Sequence, residues 1–320
     1  MDRNLIIIPG PVSEISPSRL LKLREAALRL ELRYVERKSI TAPLLRDCEA
    51  IYGCPPPELL RDAPNLRWHH LPYAGAEPYD DLSLYANKSV TLTNSSGVYG
   101  GVIAEHVLGM TLALLRQFPF YLKTMSLGEW EHHPEMGELS GSSVLICGMG
   151  DLGMSVAEKF RLMDCKLFGI RRTFADIPPG FGDVCGLDRL AEMAGRCDIV
   201  INTLPSTRET KGVFNAAVFK KMRPHSLFVN VGRGSAAVED DLINALERNM
   251  MAGAALDVFE HEPLAADSPL RRMENVLLTP HCAGVSPQNS DRAYEMFFDL
   301  LVRYISGRPL YNIVDFFAGY

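Results

Sequence analysis

An apolar run, Ser143-Val144-Leu145-Ile146-Cys147, passes without a break into Gly148-Met149-Gly150-Asp151-Leu152-Gly153 and then into a helical pattern over 154–162. A strand that ends in three spaced glycines and reopens as a helix is the first half of a βαβ crossover. Such a crossover commits its neighbours to a parallel sheet covered by helices. The surrounding chain agrees, with short apolar runs near 166–170, 199–203, 227–231, 252–256 and 276–278 alternating with helical patterns. An earlier series, near 5–8, 32–35, 50–52, 66–70 and 90–93, alternates in the same way, with a helix near 18–30. Between the two series, 99–127 reads as one long apolar helical pattern, and after Pro287 a last helical pattern runs to about Ile305. The chain is therefore expected to be α/β, with two doubly wound parallel-sheet domains. Residues 99–286 form the larger domain. Residues 1–98 and 287–320 form a smaller, discontinuous, flavodoxin-like one, which the last helix crosses back to complete.

The glycine pattern carries chemistry as well as topology. Gly148 permits a tight turn, Gly150 lets a pyrophosphate approach the backbone, and Gly153 lets helix and strand pack closely. Asp151 and Leu152 are counted with the glycines in the cofactor site, ahead of the helix over 154–162, whose N–H groups and dipole favour negative charge. The larger domain is expected to be a Rossmann dinucleotide-binding domain. At the end of the next strand, a site for NAD usually presents a carboxylate to the ribose hydroxyls. This chain has Arg171-Arg172-Thr173 there, with Arg171 18 residues past Gly153. Two guanidinium groups and a hydroxyl suit a 2′-phosphate, so NADP is the expected cofactor and NAD the less favoured one. The competing reading of the arginines is as solvated charges at a strand end.

Three later segments end strands and carry reactive side chains: Asn230-Val231-Gly232-Arg233-Gly234, Asp257-Val258-Phe259-Glu260-His261-Glu262-Pro263 and Thr279-Pro280-His281. Ligands of open parallel sheets bind outside the carboxyl ends of the strands, so all three point at one crevice. Together with the glycine motif, their order from about Leu66 to Gly284 resembles the D-2-hydroxyacid dehydrogenase family. Gly128-Glu129-Trp130, Glu138-Leu139-Ser140-Gly141 and Asn202-Thr203-Leu204-Pro205 strengthen the likeness.

The resemblance implies a role for each matched residue. Arg233 would hold the substrate carboxylate and polarise its carbonyl, His281 would donate the proton, and Glu262 would orient His281 and set an opposite charge beside its protonated form. Leu204, Pro205 and Asp257 would cradle the nicotinamide, with Thr210, Val231 and Gly284 also on the cofactor. The backbone of Tyr73, Ala74 and Gly75 would catch the substrate carboxylate. Many relatives carry Gly-Val-Asp at that turn, so the bulky Tyr73 bears on pocket size. His69, His70, His106, His225 and His261 read as structural, and His132 with His133 is left open.

The implied reaction is hydride transfer from NADPH to a small 2-keto acid such as glyoxylate or hydroxypyruvate, giving the D-2-hydroxy acid. Alternatives are a phosphite-type dehydrogenase and a nucleotide-sensing binding protein on the same fold. A net charge of −6 with no basic cluster disfavours nucleic acid and anionic membranes. No apolar run approaches the roughly 20 residues that span a bilayer, and the start of the chain does not resemble a signal peptide, so a cytoplasmic protein is expected. Seven scattered cysteines without a C-x-x-C pair indicate reduced core thiols and no metal site. The family forms two-fold dimers through the region matching 99–127, so a homodimer is expected. In some relatives the following loop reaches the neighbouring active site, which nominates Trp130, His133 and Met136. The alternative is a loop folded over its own subunit.

Overall fold

The computed structural model describes residues 3–10, 14–172 and 176–319, which fall into two compact units: Met1–Tyr99 with Ser286–Tyr320, and Gly100–Val285.

The first unit is a five-stranded parallel sheet of β1 (Arg3–Ile7), β2 (Leu30–Tyr34), β3 (Cys48–Tyr52), β4 (Trp68–His70) and β5 (Thr91–Thr93), in the order β2-β1-β3-β4-β5. That is a flavodoxin-like order. One face is covered by α1 (Pro17–Ala27) and, at the far end of the chain, by the helix Asn289–Ile305. The latter inserts Phe297 and Leu301 among Leu5, Ile7 and Leu23, and the Phe297 ring stacks 4.0 Å from that of Tyr52. Burying one such side chain contributes about 1.5–3 kcal/mol, which is why a segment so late in sequence returns to this sheet. A short helix α2 (Ala42–Arg46) lies on the other face, where Leu45 joins Ile6, Ile51 and Leu92. The tail pairs Ile313 with Thr93 in an antiparallel bridge and buries Val314, so it covers the β5 edge.

The second unit is a seven-stranded parallel sheet: β6 (Ser143–Cys147), β7 (Lys166–Ile170), β8 (Phe181–Cys185), β9 (Ile199–Asn202), β10 (Leu227–Asn230), β11 (Gly253–Leu256) and β12 (Val276–Leu278). The order β12-β11-β10-β9-β6-β7-β8 is the Rossmann arrangement with one further strand, and its direction reverses between β6 and β9. Strand β8, with the burial pattern of an edge and no continuous apolar run, was not among the expected strands. Apolar clusters line both faces of the sheet.

The expected helix over 99–127 is two helices, α3 (Gly100–Leu115) and α4 (Phe118–Leu127). Pro119 lacks an N–H and cannot continue the helix, and Gln117 turns the chain in the left-handed region at φ 57°. The remaining helices are α5 (Asp151–Leu162), α6 (Leu190–Ala194), α7 (Ala216–Phe219) and α8 (Glu239–Glu247), so the helix Asn289–Ile305 is α9. All seven cysteines are free, with Cys48, Cys147, Cys185 and Cys197 in the cores and Cys54, Cys165 and Cys282 only partly buried. Among the described residues, no helix is long and apolar enough to cross a membrane, and no group of three or more His, Cys, Asp or Glu side chains is placed to hold a metal ion.

Candidate active site

At the point where the strand order reverses, β6 gives way to Gly148, whose φ of +100° suits glycine. A methyl group there would lie 2.9 Å from Thr203, whose hydroxyl donates to the Gly148 carbonyl at 2.7 Å and lies 3.0 Å from that of Cys147. A methyl on Gly153 would stand 1.8 Å from the Gly148 oxygen, so the turn and the first turn of α5 close only on glycine. Gly150 is different. It is the N-cap of α5, no side chain caps the helix, and a methyl added to it would meet nothing within 4 Å. An open cradle in front of a helix N-terminus fits a diphosphate, because the first N–H groups of a helix have no partner within it.

Arg171 follows β7, and its guanidinium donates to the carbonyl of Asp176 at 2.9 Å while its backbone N–H bonds Cys185 of the neighbouring β8. Arg172 is exposed, and Thr173 lies outside the described residues. Past β9, Leu204 is buried, and the loop beginning at Pro205 is tied by Thr210, whose hydroxyl donates to the Pro205 carbonyl at 2.6 Å and accepts from the Thr207 N–H at 2.9 Å.

The three reactive loops leave β10, β11 and β12 side by side. Buried Asn230 closes β10, where its side-chain oxygen accepts from Asn202 at 2.8 Å and from the Gly232 N–H at 3.2 Å. Its amide donates to the Arg233 carbonyl at 3.3 Å, and the Arg233 guanidinium donates to the Gly232 carbonyl at 3.0 Å. A methyl on Gly234 would collide with the Phe259 carbonyl at 1.9 Å, so the Arg233 turn packs directly on the loop that carries Glu262. Buried Val231 lies in the same turn.

The next loop is organised by Asp257, a carboxylate only 2% exposed. A buried charge needs partners, and Asp257 Oδ1 accepts from the Thr279 hydroxyl at 2.6 Å and the Cys282 N–H at 2.9 Å, while Oδ2 accepts from the Ala283 N–H at 3.0 Å. Its backbone carbonyl accepts from the N–H of His281 at 2.8 Å. Gly284 follows in the same turn. Held in this way, His281 adopts φ +50°, in the left-handed region that residues other than glycine seldom enter. Nδ1 of His281 lies 2.7 Å from Glu262 Oε2, and the other Glu262 oxygen accepts from the Phe259 N–H at 3.1 Å. A carboxylate only accepts, so Nδ1–H donates and Nε2 is the nitrogen that can exchange a proton outward. The His281 side chain is 54% exposed.

Glu262, His281 and Asp257 therefore stand in one bonded group, and Arg233 joins it through the Gly234–Phe259 contact. Thr279 belongs to the same group through its side chain, a part that its place before Pro280 did not announce. Tyr73, Ala74 and Gly75 lie in the first unit, just past β4. There the Tyr73 carbonyl accepts from the Ser95 N–H at 2.9 Å, the Ala74 carbonyl from the Asn94 amide at 2.7 Å, and Tyr73 is 39% exposed. After α4, the His133 ring packs edge-on to Phe120 at 5.0 Å and Met136 accepts from the Tyr121 hydroxyl, whereas Trp130 is 95% exposed.

Residues 108–283 match the family model for the NAD-binding domain of D-isomer specific 2-hydroxyacid dehydrogenases. A relative, glyoxylate/hydroxypyruvate reductase B of Citrobacter koseri, is 31% identical over 272 residues, which cover 80% of each chain. Among solved structures, a D-isomer specific 2-hydroxyacid dehydrogenase family protein from Aeromonas salmonicida superposes with a TM-score of 0.82 at 32% identity, over 99% of this chain and 100% of that one. An NADPH-dependent glyoxylate/hydroxypyruvate reductase from Sinorhizobium meliloti, solved with NADP and sulfate, gives 0.82 at 29% identity over the same shares.

Proposed function

Because this chain belongs to the D-isomer specific 2-hydroxyacid dehydrogenase family, and is thus an NAD(P)-dependent 2-hydroxyacid dehydrogenase, we propose that it works as a reductase of short 2-keto acids such as glyoxylate or hydroxypyruvate, with NADPH. The observation that carries this reading is the Glu262–His281 contact of 2.7 Å on a left-handed backbone, which aims one imidazole nitrogen outward from a loop anchored on Asp257. The names of the Citrobacter and Sinorhizobium proteins support the substrate class.

In this reading Arg233 binds the substrate carboxylate and draws electron density from the keto oxygen, since a guanidinium offers a fixed fork of donors. A nicotinamide held beside Leu204, Pro205 and Asp257 would supply the hydride that the keto carbon takes up. His281 delivers a proton from Nε2 to the oxygen, which becomes the hydroxyl, and its exposed ring recovers a proton from solvent. Glu262 holds the ring through Nδ1, so the outward nitrogen keeps its direction in both protonation states. The backbone of Tyr73, Ala74 and Gly75 is assigned to the substrate carboxylate. Gly148, Gly150, Asp151, Leu152 and Gly153 are assigned to the diphosphate, and Leu204, Pro205, Thr210, Val231, Asp257 and Gly284 to the nicotinamide half. A homodimer through α3 and α4 is part of the same proposal, supported by the exposed Phe118, Leu122, Met125 and Leu127.

Arg171 and Arg172 are assigned to the 2′-phosphate of NADPH. A hydrogen bond to a charged group contributes about 1.5–3 kcal/mol, so the pair can favour NADPH by roughly a hundredfold in kcat/KM. The test is cofactor oxidation with a panel of 2-keto acids, from glyoxylate through hydroxypyruvate and pyruvate to aromatic keto acids, in wild type and Arg171→Asp. The wild type should favour the short acids and NADPH. The variant, with a carboxylate against the phosphate and an acceptor for the ribose hydroxyls, should lose or invert the cofactor preference. Equal use of NADH and NADPH by the wild type at low salt would remove the arginines from the site, and NADPH binding without turnover on any keto acid would replace the reductase with a nucleotide-binding protein.

A further inference from the structure

We propose that His106 is a positioning residue of this active site, acting through Thr279 on the Asp257 carboxylate and so on the turn that presents His281; the inference rests on the reading of His281 as the proton donor. His106 lies on α3 between Ala104 and Val107, which are buried in the core under the sheet, and its side chain is 23% exposed. Its Nε2 stands 3.1 Å from the Thr279 hydroxyl and 4.0 Å from Asp257 Oδ1.

The hydroxyl has one proton, and the 2.6 Å contact to Asp257 Oδ1 commits it to the carboxylate. Thr279 must then accept from His106, so Nε2 carries a proton and the three groups form a directed chain from His106 through Thr279 to Asp257. The short bond at its end is charge-assisted and among the stronger ones in the site.

The chain matters because of what Asp257 does. Its two carboxylate oxygens accept the N–H groups of Cys282 and Ala283, and its carbonyl accepts that of His281, so one residue holds three consecutive N–H groups of the turn in which His281 sits at φ +50°. A strained residue keeps its conformation only while its surroundings over-determine it. Rotation of the Thr279 hydroxyl or of the Asp257 carboxylate would release that turn. A ring on α3 that satisfies the Thr279 oxygen removes this freedom, and α3 is a 16-residue helix whose other face is fixed in the core. His106 reaches the turn from behind, by way of Thr279, so its effect should fall on proton delivery more than on substrate binding.

The experiment compares His106→Leu, His106→Gln, Thr279→Val and the His106→Leu/Thr279→Val double variant with wild type and His281→Gln. Steady-state reduction of glyoxylate by NADPH is measured per NADPH-binding site, and melting temperatures are taken alongside. His106→Leu should lower kcat by about tenfold or more, as expected for a small misplacement of a reacting group, with KM for glyoxylate nearly unchanged. His106→Gln places an amide N–H near the same point and should recover most of the loss. In the Thr279→Val background, adding His106→Leu should cost less than about twofold, because residues acting through one another are not additive. A kcat per site equal to wild type in His106→Leu, additive losses in the double variant, or a Gln variant no better than Leu at equal melting temperature would each overturn the proposal. If His106→Leu does not fold, Thr279→Val alone still must show the loss in kcat at unchanged KM. Retained activity in His281→Gln would instead remove the proton-donor reading and this inference with it, whereas loss in His281→Gln beside an unaffected His106→Leu would sink only the inference.

Discussion

The side chain that decides between catalysis and packing is His281, because a half-exposed histidine bonded to a glutamate can serve either. Substitution separates the two uses, because the turn that holds His281 at φ +50° leaves its Nε2 free to face outward while Nδ1 is bonded to Glu262. His281→Gln should therefore lower kcat by a factor on the order of 10² to 10⁴ while NADPH affinity changes little, measured by steady-state kinetics beside a cofactor titration. A variant that keeps more than about half of the wild-type kcat would leave His281 a structural residue. The Arg-Glu-His order stands out in the sequence because each residue lies in the loop that follows a strand, in a short, recognisable segment. The chain from His106 could not. Its contact with Thr279 joins positions 173 apart, and a pairing between a helix face and a distant loop is decided by tertiary packing, which leaves no spacing in the sequence.

At the scale of elements, the strand-to-helix unit β6–α5 was the most legible part of the chain, since an apolar run followed by three spaced glycines and a helical pattern fits few arrangements besides a βαβ turn. The geometry assigns the glycines separate duties, and substitution can tell these apart. Gly153→Ala puts a methyl 1.8 Å from a backbone oxygen that cannot move without shifting β6 or α5, so it should destabilise the second unit by about 1–3 kcal/mol or more and lower its melting temperature. Gly150→Ala meets nothing within 4 Å and should leave the melting temperature of the free protein nearly unchanged, yet weaken NADPH binding by about tenfold or more, because the methyl fills the cradle. Equal effects of the two substitutions on stability would refute this division. Elsewhere the elements were less readable. The break between α3 and α4 needed only Pro119 to be weighed against an apolar periodicity that runs through it, whereas β8 is a partly exposed edge strand whose Phe181-Gly182-Asp183 lacks the apolar run that marked the others.

For the whole molecule, two units with separate cores hold different ionisable groups in bonded networks, and acid should find them in order. The first unit buries His69 and His70 on its central sheet, fully enclosed and hydrogen-bonded as neutral rings to Tyr85, Gly53, Thr93 and Ser95. Burial pushes His69 down from 6.5 to about 4; burial, and then the neighbouring His69, push His70 down to about 3. A folded-state value below the unfolded one means that the unfolded chain binds the protons first. The stability these rings confer is whole above pH 6.5 and is lost as pH falls from there through about 4 and 3, roughly 3 kcal/mol for His69 alone. The second unit instead holds Asp198. Burial there would raise its value, but bonds from Ser143, His225 and Arg223 outweigh burial and hold it down to about 2. Its contribution is present above 3.8 and fades only as pH falls toward 2. Hydrogen exchange, corrected for its intrinsic pH dependence and compared between about pH 7.5 and about pH 5, should show amides of β1, β3 and β4 losing protection while those of β6, β9 and β10 keep theirs. Simultaneous loss in both sheets, or full protection of the first down to about pH 4, would mean that the two imidazoles do not govern its acid stability.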